Sequence, residues 1–251
     1  MKLTRQLVAV LAVGFLGFTG ASAYSASEST SVDEYGATDT HIRNAFIVDY
    51  SDSIISEYEI TGASSIEEGV MQILGSVKNY GAEEYNKQVE DGVEQPFFWL
   101  AKPLNLSADN PVDMFAPDFT RSINMGACFE MYFHQNMQSG MSPSEAASDA
   151  KQKIPVCLQN GESPLEGKFA SKVRQMVLCH PLHGQLLLDE ADKLPFAAAM
   201  PCHLSIYNKE GKIMVSWRNV EEMAKKAQMD KDSQDLAKEV QENMEEMLSH
   251  L

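Results

Sequence analysis

Residues 172–219 read KVRQMVLCHPLHGQLLLDEADKLPFAAAMPCHLSIYNKEGKIMVSWRN, and this stretch decides the fold. Residues 173–177 and 204–207 are apolar runs of strand length, bounded by proline and glycine. Residues 212–217 place an isoleucine, a valine and a tryptophan at every second position, which is typical of a strand with one buried face. Residues 208–211 precede this run and end in the glycine that a hairpin favours. The pattern therefore predicts a sheet that contains a hairpin.

Two of the four cysteines lie at ends of these strands, and each is followed at once by a histidine. If the two strands are parallel, Cys179 and Cys202 lie at opposite ends of the sheet, roughly 16 Å apart at about 3.3 Å per residue. If the strands are antiparallel, both cysteines lie near one edge. We expect the antiparallel arrangement because Pro181 and Pro201 each stand beside a strand end, where a missing N–H costs nothing. Pro195 would then divide the connection into two helical pieces, residues 182–188 and 195–200.

In the antiparallel arrangement the strand ends carry a set of soft ligands suited to Zn or Cu. Neighbours along a strand project to opposite sides, so at most one residue of each Cys-His pair faces a common centre without a bend. Four interpretations stay open: a metal site, a disulfide between the two cysteines, a reactive thiol and plain structural cysteines. The candidate ligands are Cys179, His180, His183, Cys202 and His203.

Three segments of this stretch carry a resemblance to a known family: Cys179-His180-Pro181, Pro201-Cys202 and the hairpin residues 208–212. Together they resemble the bacterial domain of unknown function 302, over roughly 50 residues that form the C-terminal half of such a domain. Residues 58–79 suggest the opening strand and helix of that domain. Residues 80–167 have no counterpart in it, so they are an insertion or a different module. The resemblance implies an α+β fold, often dimeric, with no established catalytic activity.

The first residues have the features of a secretory signal peptide. Lys2 and Arg5 precede an apolar stretch at residues 7–18, and residues 21–23 form a small-residue cleavage site. We therefore predict a signal peptide at residues 1–23 and a periplasmic protein. The next residues, 24–40, are rich in Ser, Thr, Asp and Glu, which predicts a flexible mature N-terminus.

The charge of the chain is strongly negative. It has 20 Lys and Arg against 36 Asp and Glu, a formal charge of −16, which becomes −18 once the two basic residues of the signal peptide are removed. Such a surface repels phosphate backbones, so nucleic acid is excluded as a partner. The sequence also has no Cys-x-x-Cys, phosphate-binding loop, Gly-x-Ser-x-Gly or His-Glu-x-x-His motif.

The segment before the deciding stretch predicts three helices. Ser65 with Glu68 forms a capping box that begins a helix, which we expect to end at Gly81 after residue 79. Residues 97–100 are a buried strand or an aromatic anchor. A helical hairpin follows, in which Ser142 caps the second helix and Pro155 ends it. An antiparallel hairpin brings Cys128 and Cys157 together, so they are the candidate disulfide, although two buried thiols are the alternative.

The chain ends in a predicted helical segment, residues 220–251. Asn219 with Glu222 forms a capping box, and a polar break follows at residues 230–235. An apolar stripe then repeats at helical spacing, which predicts that the last helix docks on the sheet or on a second copy of the chain. The stripe consists of Ala237, Val240, Met244, Met247 and Leu251.

These patterns lead to an α+β fold with a small mixed or antiparallel sheet, packed helices, an inserted helical hairpin at about residues 80–167 and a C-terminal helix. The α+β domain spans residues 41–219. The function we expect is an exported, non-enzymatic binding protein for a small ligand, a metal such as Zn or Cu, or a periplasmic partner protein. The alternative is a thiol-based redox or sulfur-carrier protein that uses Cys179 or Cys202. A third possibility is an assembly role, with the C-terminal helix as a homodimer contact.

Overall fold

The computed structural model of this chain describes residues 55–189, 202–249 and 251. The predicted signal peptide, the flexible N-terminus and the helical piece at residues 195–200 lie outside these residues. None of the described helices is long and apolar enough to cross a membrane. The elements follow in the order β1 (Ile55–Glu59), α1 (Ile66–Glu90), β2 (Leu100–Lys102), α2 (Pro111–Phe115), α3 (Phe119–Gln138), α4 (Pro143–Asn160), β3 (Val173–Cys179), α5 (Pro181–Leu186), β4 (Cys202–Lys209), β5 (Lys212–Arg218), α6 (Val220–Lys226) and α7 (Lys231–Leu248).

The five strands form one antiparallel sheet in the order β1-β5-β4-β3-β2. β4 and β5 form the predicted hairpin, in which Glu210 and Gly211 have positive φ angles of 55° and 87°. Between β3 and β4, Met176 lies opposite Leu204 in an antiparallel ladder. Of the two arrangements that the sequence left open, the antiparallel one is therefore present, and the predicted α+β class is confirmed.

One face of the sheet packs against α1 and α7 in a shared hydrophobic core. Side chains at alternate strand positions enter this core, because successive residues of a strand point to opposite faces. Burying each of these large apolar side chains stabilises the fold by about 1.5–3 kcal/mol. The strands contribute Met176, Leu178, Leu204, Ile206, Ile213, Val215 and Trp217, α1 contributes Val70, Ile73 and Val77, and α7 contributes Val240, Met244 and Met247.

Helix α1 begins as predicted and ends later than predicted. The Ser65 side chain accepts a hydrogen bond from the Glu68 N–H at 3.1 Å, which caps the first turn. The prediction that Gly81 ends the helix is wrong, because α1 continues to Glu90. Gly81 is instead a point of close approach, where a Cβ would lie 2.4 Å from the carbonyl oxygen of Trp99. Of the two alternatives for residues 97–100, Trp99 fits the aromatic anchor, because it is 2% exposed. A buried strand is not present there, since Phe97 and Phe98 are exposed and β2 begins only at Leu100.

The helical hairpin is present as α3 and α4, and the disulfide joins Cys128 to Cys157 with 6.1 Å between the Cα atoms. The Ser142 capping box begins α4 as predicted. The prediction that Pro155 ends α4 is wrong, because the helix continues to Asn160 and Cys157 lies inside it. A proline inside a helix removes one backbone hydrogen bond. Packing against α3 and the disulfide two residues later hold the last turn in place.

The C-terminal segment forms α6 and α7. Asn219 caps α6, since its side chain accepts from the Glu222 N–H at 2.9 Å. The break between the two helices covers residues 227–230 and is earlier than predicted, because Asp230 caps α7 by accepting from the Ser233 N–H at 2.9 Å. The apolar stripe of α7 lies in the core of its own chain, and Ser76 of α1 donates a hydrogen bond to the Met247 carbonyl.

Candidate functional site

The ends of β3 and β4 bring the two remaining cysteines to the same end of the sheet, as expected for antiparallel strands. Cys202 lies opposite Leu178, and Cys179 lies opposite Leu100 of β2. Because side chains alternate along a strand, Cys202 shares the core face with Leu178. Cys179 is the last residue of β3, and it lines the same small cavity as Cys202. Both are free thiols, so the disulfide between them that the sequence left open is not present.

The same alternation separates the histidines. His203 lies opposite Val177 and is exposed. His180 and His183 are buried, at 5% and 8% exposure. Four of the five predicted ligands, Cys179, His180, His183 and Cys202, line one small cavity, and His203 does not. In the part of the chain that the structure describes, no group of three or more His, Cys, Asp or Glu side chains is placed to hold a metal ion.

His180 and His183 form a stacked pair at the start of α5. Their ring centroids are 3.9 Å apart with an interplanar angle of 26°. His180 is the N-cap of α5, and its Nδ1 accepts a hydrogen bond from the His183 backbone N–H at 3.2 Å. An accepting Nδ1 places the ring proton on Nε2, which lies 3.2 Å from Oε1 of Glu84 on α1. The other oxygen of Glu84 accepts from the Trp99 backbone N–H at 2.9 Å, so one carboxylate positions both residues.

The imidazole of His183 is buried, and its two nitrogens differ in their polar surroundings. Its Nε2 faces the carboxylate of Glu239 on α7 at 3.5 Å. Its Nδ1 is buried and has no hydrogen-bond partner within the described ranges of the chain. Burial, and then the nearby ring of His180, lower the pKa of His183 to about 4, and Glu84 opposes this only in part. His183 is consequently a neutral imidazole at physiological pH.

A small cavity of about 30 Å³ lies beneath these rings. Burial raises the pKa of the Cys202 thiol to about 12, and the neighbouring Cys179 adds to this, so the thiol is protonated at neutral pH. The indole Nε1 of Trp99 is also buried, and no described residue forms a hydrogen bond with it. The side chains around the cavity belong to Trp99, Leu178, Cys179, His180, His183, Leu187, Cys202, Val220 and Val240.

A second and much larger space, which we call the α1 groove, lies on the other side of Trp99. It has a volume of about 730 Å³ and is walled by α1, by residues 98–101 and by α2. Its lining is almost entirely apolar. The lining side chains include Met71, Leu74, Val77, Ala82, Tyr85, Phe98, Trp99, Leu100, Pro111 and Phe115.

Sequence reasoning missed the α1 groove, although a signal for it was present. Besides the stripe that enters the core, α1 carries a second apolar stripe at helical spacing, with Met71, Leu74, Ala82 and Tyr85. Met71 and Tyr85 remain 47% and 43% exposed. A helix with more apolar surface than one core contact requires indicates a second apolar neighbour.

Lys78 is the charged side chain in the α1 groove lining. It is exposed, and within the described ranges it has no ion-pair partner. Its neighbours one turn away on α1 are uncharged, namely Leu74, Gly75, Gly81 and Ala82. The groove therefore combines an apolar wall with one unpaired positive charge.

Comparison with known proteins concerns mainly the second half of the chain. Residues 165–251 match the family model of a domain of unknown function, DUF302. The resemblance drawn from the residues around Cys179 and Cys202 is thereby confirmed. The crystal structure of an uncharacterized conserved DUF302 protein from Bacillus stearothermophilus aligns with 78% of this chain and 96% of its own, at 10% identity and a TM-score of 0.42. None of the curated proteins compared matches the chain.

The residues that match DUF302 and the residues that line the α1 groove belong to different parts of the chain. It contains β3, α5, β4, β5, α6 and α7, and thus both free cysteines and both buried histidines. The walls of the α1 groove come from residues 71–115, which precede the match. Trp99 borders both cavities, so it connects the DUF302 segment with the segment that builds the groove.

Proposed function

We propose that this protein is an exported, non-enzymatic binding protein that holds a small apolar molecule with an anionic head in the α1 groove. The observation that carries this proposal is the groove itself, about 730 Å³ of space with an almost wholly apolar lining. Ligand pockets in proteins have volumes of roughly 300–1,000 Å³, apolar walls and a small number of polar groups.

The shape of the groove favours a small molecule over a protein partner. Its lining comes from a helix, a strand edge and a second short helix, so a ligand would contact three elements. A protein partner of ordinary size instead covers roughly 800 Å² of each surface. The anionic head follows from Lys78, whose ammonium is unpaired in the described part of a chain that has 36 acidic residues.

One lining residue of the groove adjoins the end of the sheet that carries the free cysteines. Leu100, which lines the groove, pairs with Cys179 at the end of β3. The alternative function, thiol redox or sulfur transfer, requires a thiolate near neutral pH. Because burial raises the pKa of Cys202 to about 12, that alternative depends on Cys179 alone.

The test uses a fluorescent fatty acid, 11-(dansylamino)undecanoic acid, titrated into the full chain. Gly75 lines the groove, and a Cβ added there meets no atom within 4 Å, so Gly75→Phe fills the groove without a clash at the backbone. Asn79→Phe is the matched control, because Asn79 is an exposed residue of the same helix outside the groove lining. We expect saturable binding by the parent chain and by Asn79→Phe, and its loss in Gly75→Phe. Equal binding by all three proteins would refute the proposed site.

Export is tested separately from binding. Processing at the small-residue site at residues 21–23 should produce a mature chain that begins near Tyr24. Mass spectrometry of the protein recovered from the periplasm measures this directly, and an intact Met1 would contradict it. The homodimer and the periplasmic protein partner stay predictions, which light scattering of the purified mature chain would test.

A further inference from the structure

The small cavity beneath the histidine pair is lined by an imidazole and a free thiol, two side chains that can bind a metal. His183 is 8% exposed, and its buried Nδ1 has no hydrogen-bond partner among the residues that the structure describes. Cys202 is a free thiol that packs against the hydrophobic core, and both side chains line the same cavity of about 30 Å³. A buried polar atom without a partner costs about 1–3 kcal/mol, so it calls for an explanation, of which a bound ion is one.

The donor atoms select the kind of ligand. Sulfur and imidazole nitrogen are soft donors, and no carboxylate lines this cavity. Hard cations such as Mg²⁺ and Ca²⁺ require oxygen ligands, and a structural Zn²⁺ site requires four ligands. The described residues offer no cluster of three or more ligands. A monovalent soft ion such as Cu(I) fits instead, because it accepts two ligands in a linear arrangement.

We propose that Cys202 Sγ and His183 Nδ1 bind one Cu(I) ion in this cavity. On binding, the Cys202 thiol releases its proton to solvent and the thiolate donates an electron pair to the metal. His183 donates the lone pair of Nδ1 and keeps its proton on Nε2. No electron is transferred, since the metal enters and stays as Cu(I).

The surroundings of His183 are those of a metal ligand. Histidine ligands usually donate their other ring N–H to a carboxylate, which selects the tautomer and orients the ring. Nε2 of His183 faces the carboxylate of Glu239, and the His183 backbone N–H is held by His180 Nδ1 at 3.2 Å. This site is independent of the α1 groove, and either proposal can fail alone.

The test is an anaerobic Cu(I) titration of the full chain, with free thiols reduced, against the chromogenic chelator bicinchoninate. The variants are Cys202→Ser and His183→Gln. The controls are His203→Gln, which changes an exposed histidine outside the cavity lining, and Cys179→Ser, which removes the other thiol beside the cavity, a group that is not a proposed ligand. We expect the parent chain and both controls to retain one tightly bound equivalent. Each site variant should weaken binding by more than about 100-fold, the upper range for the loss of an outer-sphere partner.

X-ray absorption of the Cu(I)-loaded parent chain decides the question even if a site variant fails to fold. One sulfur and one nitrogen neighbour support the proposal. Two sulfur neighbours would assign the metal to both cysteines and overturn it. Failure of the parent chain to compete with the chelator, or an equal loss in Cys179→Ser and Cys202→Ser, would overturn it as well.

Discussion

Gly81 of α1 lies directly against the backbone carbonyl of Trp99. A Cβ at position 81 would lie 2.4 Å from that oxygen, which belongs to the main chain and not to a movable side chain. The contact sets the distance between α1 and the strand that starts after Trp99. Because Trp99 borders both cavities, this single glycine positions the wall that they share.

We therefore predict that Gly81→Ala destabilises the protein although alanine favours a helix. The helix propensity gain is about 1 kcal/mol, whereas forcing α1 and residue 99 apart costs about 1–3 kcal/mol beyond that gain. Gly75→Ala is the matched control on the same helix, since a Cβ there meets nothing within 4 Å. Urea unfolding should show a lower free energy of unfolding for Gly81→Ala and an equal or higher one for Gly75→Ala. Equal values for the two variants would contradict the close approach.

The position of Gly81 also shows where prediction from sequence stops. A glycine after an apolar helical stripe is typical of a helix end, but a glycine is equally needed where a backbone approaches closely. The two cases differ only in what lies opposite, and the residue opposite Gly81 is 18 positions away in the sequence. Pro155 is similar, because the disulfide and the packing against α3 that keep α4 helical beyond it are tertiary contacts.

Features encoded by neighbouring residues were predictable. The β4–β5 hairpin follows from alternation and a turn glycine, and the caps at Ser65, Ser142 and Asn219 follow from side chains three residues apart. The pairing of Cys128 with Cys157 needed only the antiparallel hairpin. To predict the α1 groove and the hydrogen bond between Glu84 and His180, one must know which helices and strands are in contact. The periodicity of the sequence does not contain that information.

His183 should make the stability depend on pH in mildly acidic solution. The pKa is 6.5 for a free imidazole and about 4 in the folded chain. Between these values the unfolded chain binds a proton that the folded chain does not, so the free energy of unfolding falls as the pH falls from 6.5 to 4. This contribution is fully present above pH 6.5 and amounts to about 2–3 kcal/mol.

Urea unfolding at about pH 7 and about pH 4.5 measures this effect. In the parent chain the free energy of unfolding should be lower at about pH 4.5 than at about pH 7. In His183→Gln this loss should be smaller by most of the His183 contribution. In His203→Gln, which changes an exposed histidine, the loss should equal that of the parent chain. An unchanged pH dependence in His183→Gln would show that His183 is protonated equally in both states.

Arg174 connects β3 with two other elements through a buried guanidinium. Arg174 is 7% exposed. Its guanidinium donates hydrogen bonds to Asp113 of α2, to the Ala116 carbonyl at 3.2 Å and to Glu67 of α1 at 3.3 Å. The hydrogen bond from Arg174 lowers the pKa of Asp113. Because Asp113 is half exposed, we predict that Asp113→Ala lowers the free energy of unfolding by about 1 kcal/mol.

Asp109→Ala is the control for this pair, since Asp109 is an exposed carboxylate just before α2 and should change stability by less than about 0.5 kcal/mol. The effect of Asp113→Ala should disappear below the pKa of Asp113, because a protonated carboxyl no longer pairs with the guanidinium. Equal effects of the two alanine variants at neutral pH would mean that the pair with Arg174 adds nothing to stability.

Lys78 should decide whether the α1 groove prefers an anionic ligand. Dodecanoate and dodecanol share one alkyl chain and differ in the charge of the head, so displacement of the dansyl probe by each compares the two heads directly. An exposed charge pair is worth up to about 1 kcal/mol, which corresponds to about a fivefold preference for the acid. Lys78→Met retains an apolar stem of similar length and should abolish that preference while leaving dodecanol binding unchanged. Lys87→Met, on the same helix outside the groove lining, should retain the preference for the acid.

Raising the salt concentration should reduce the preference of the parent chain for dodecanoate, because mobile ions screen an exposed charge pair. If Lys78→Met still prefers dodecanoate fivefold, the charge of the head is recognised elsewhere, and if neither compound displaces the probe, the groove does not bind alkyl chains at all.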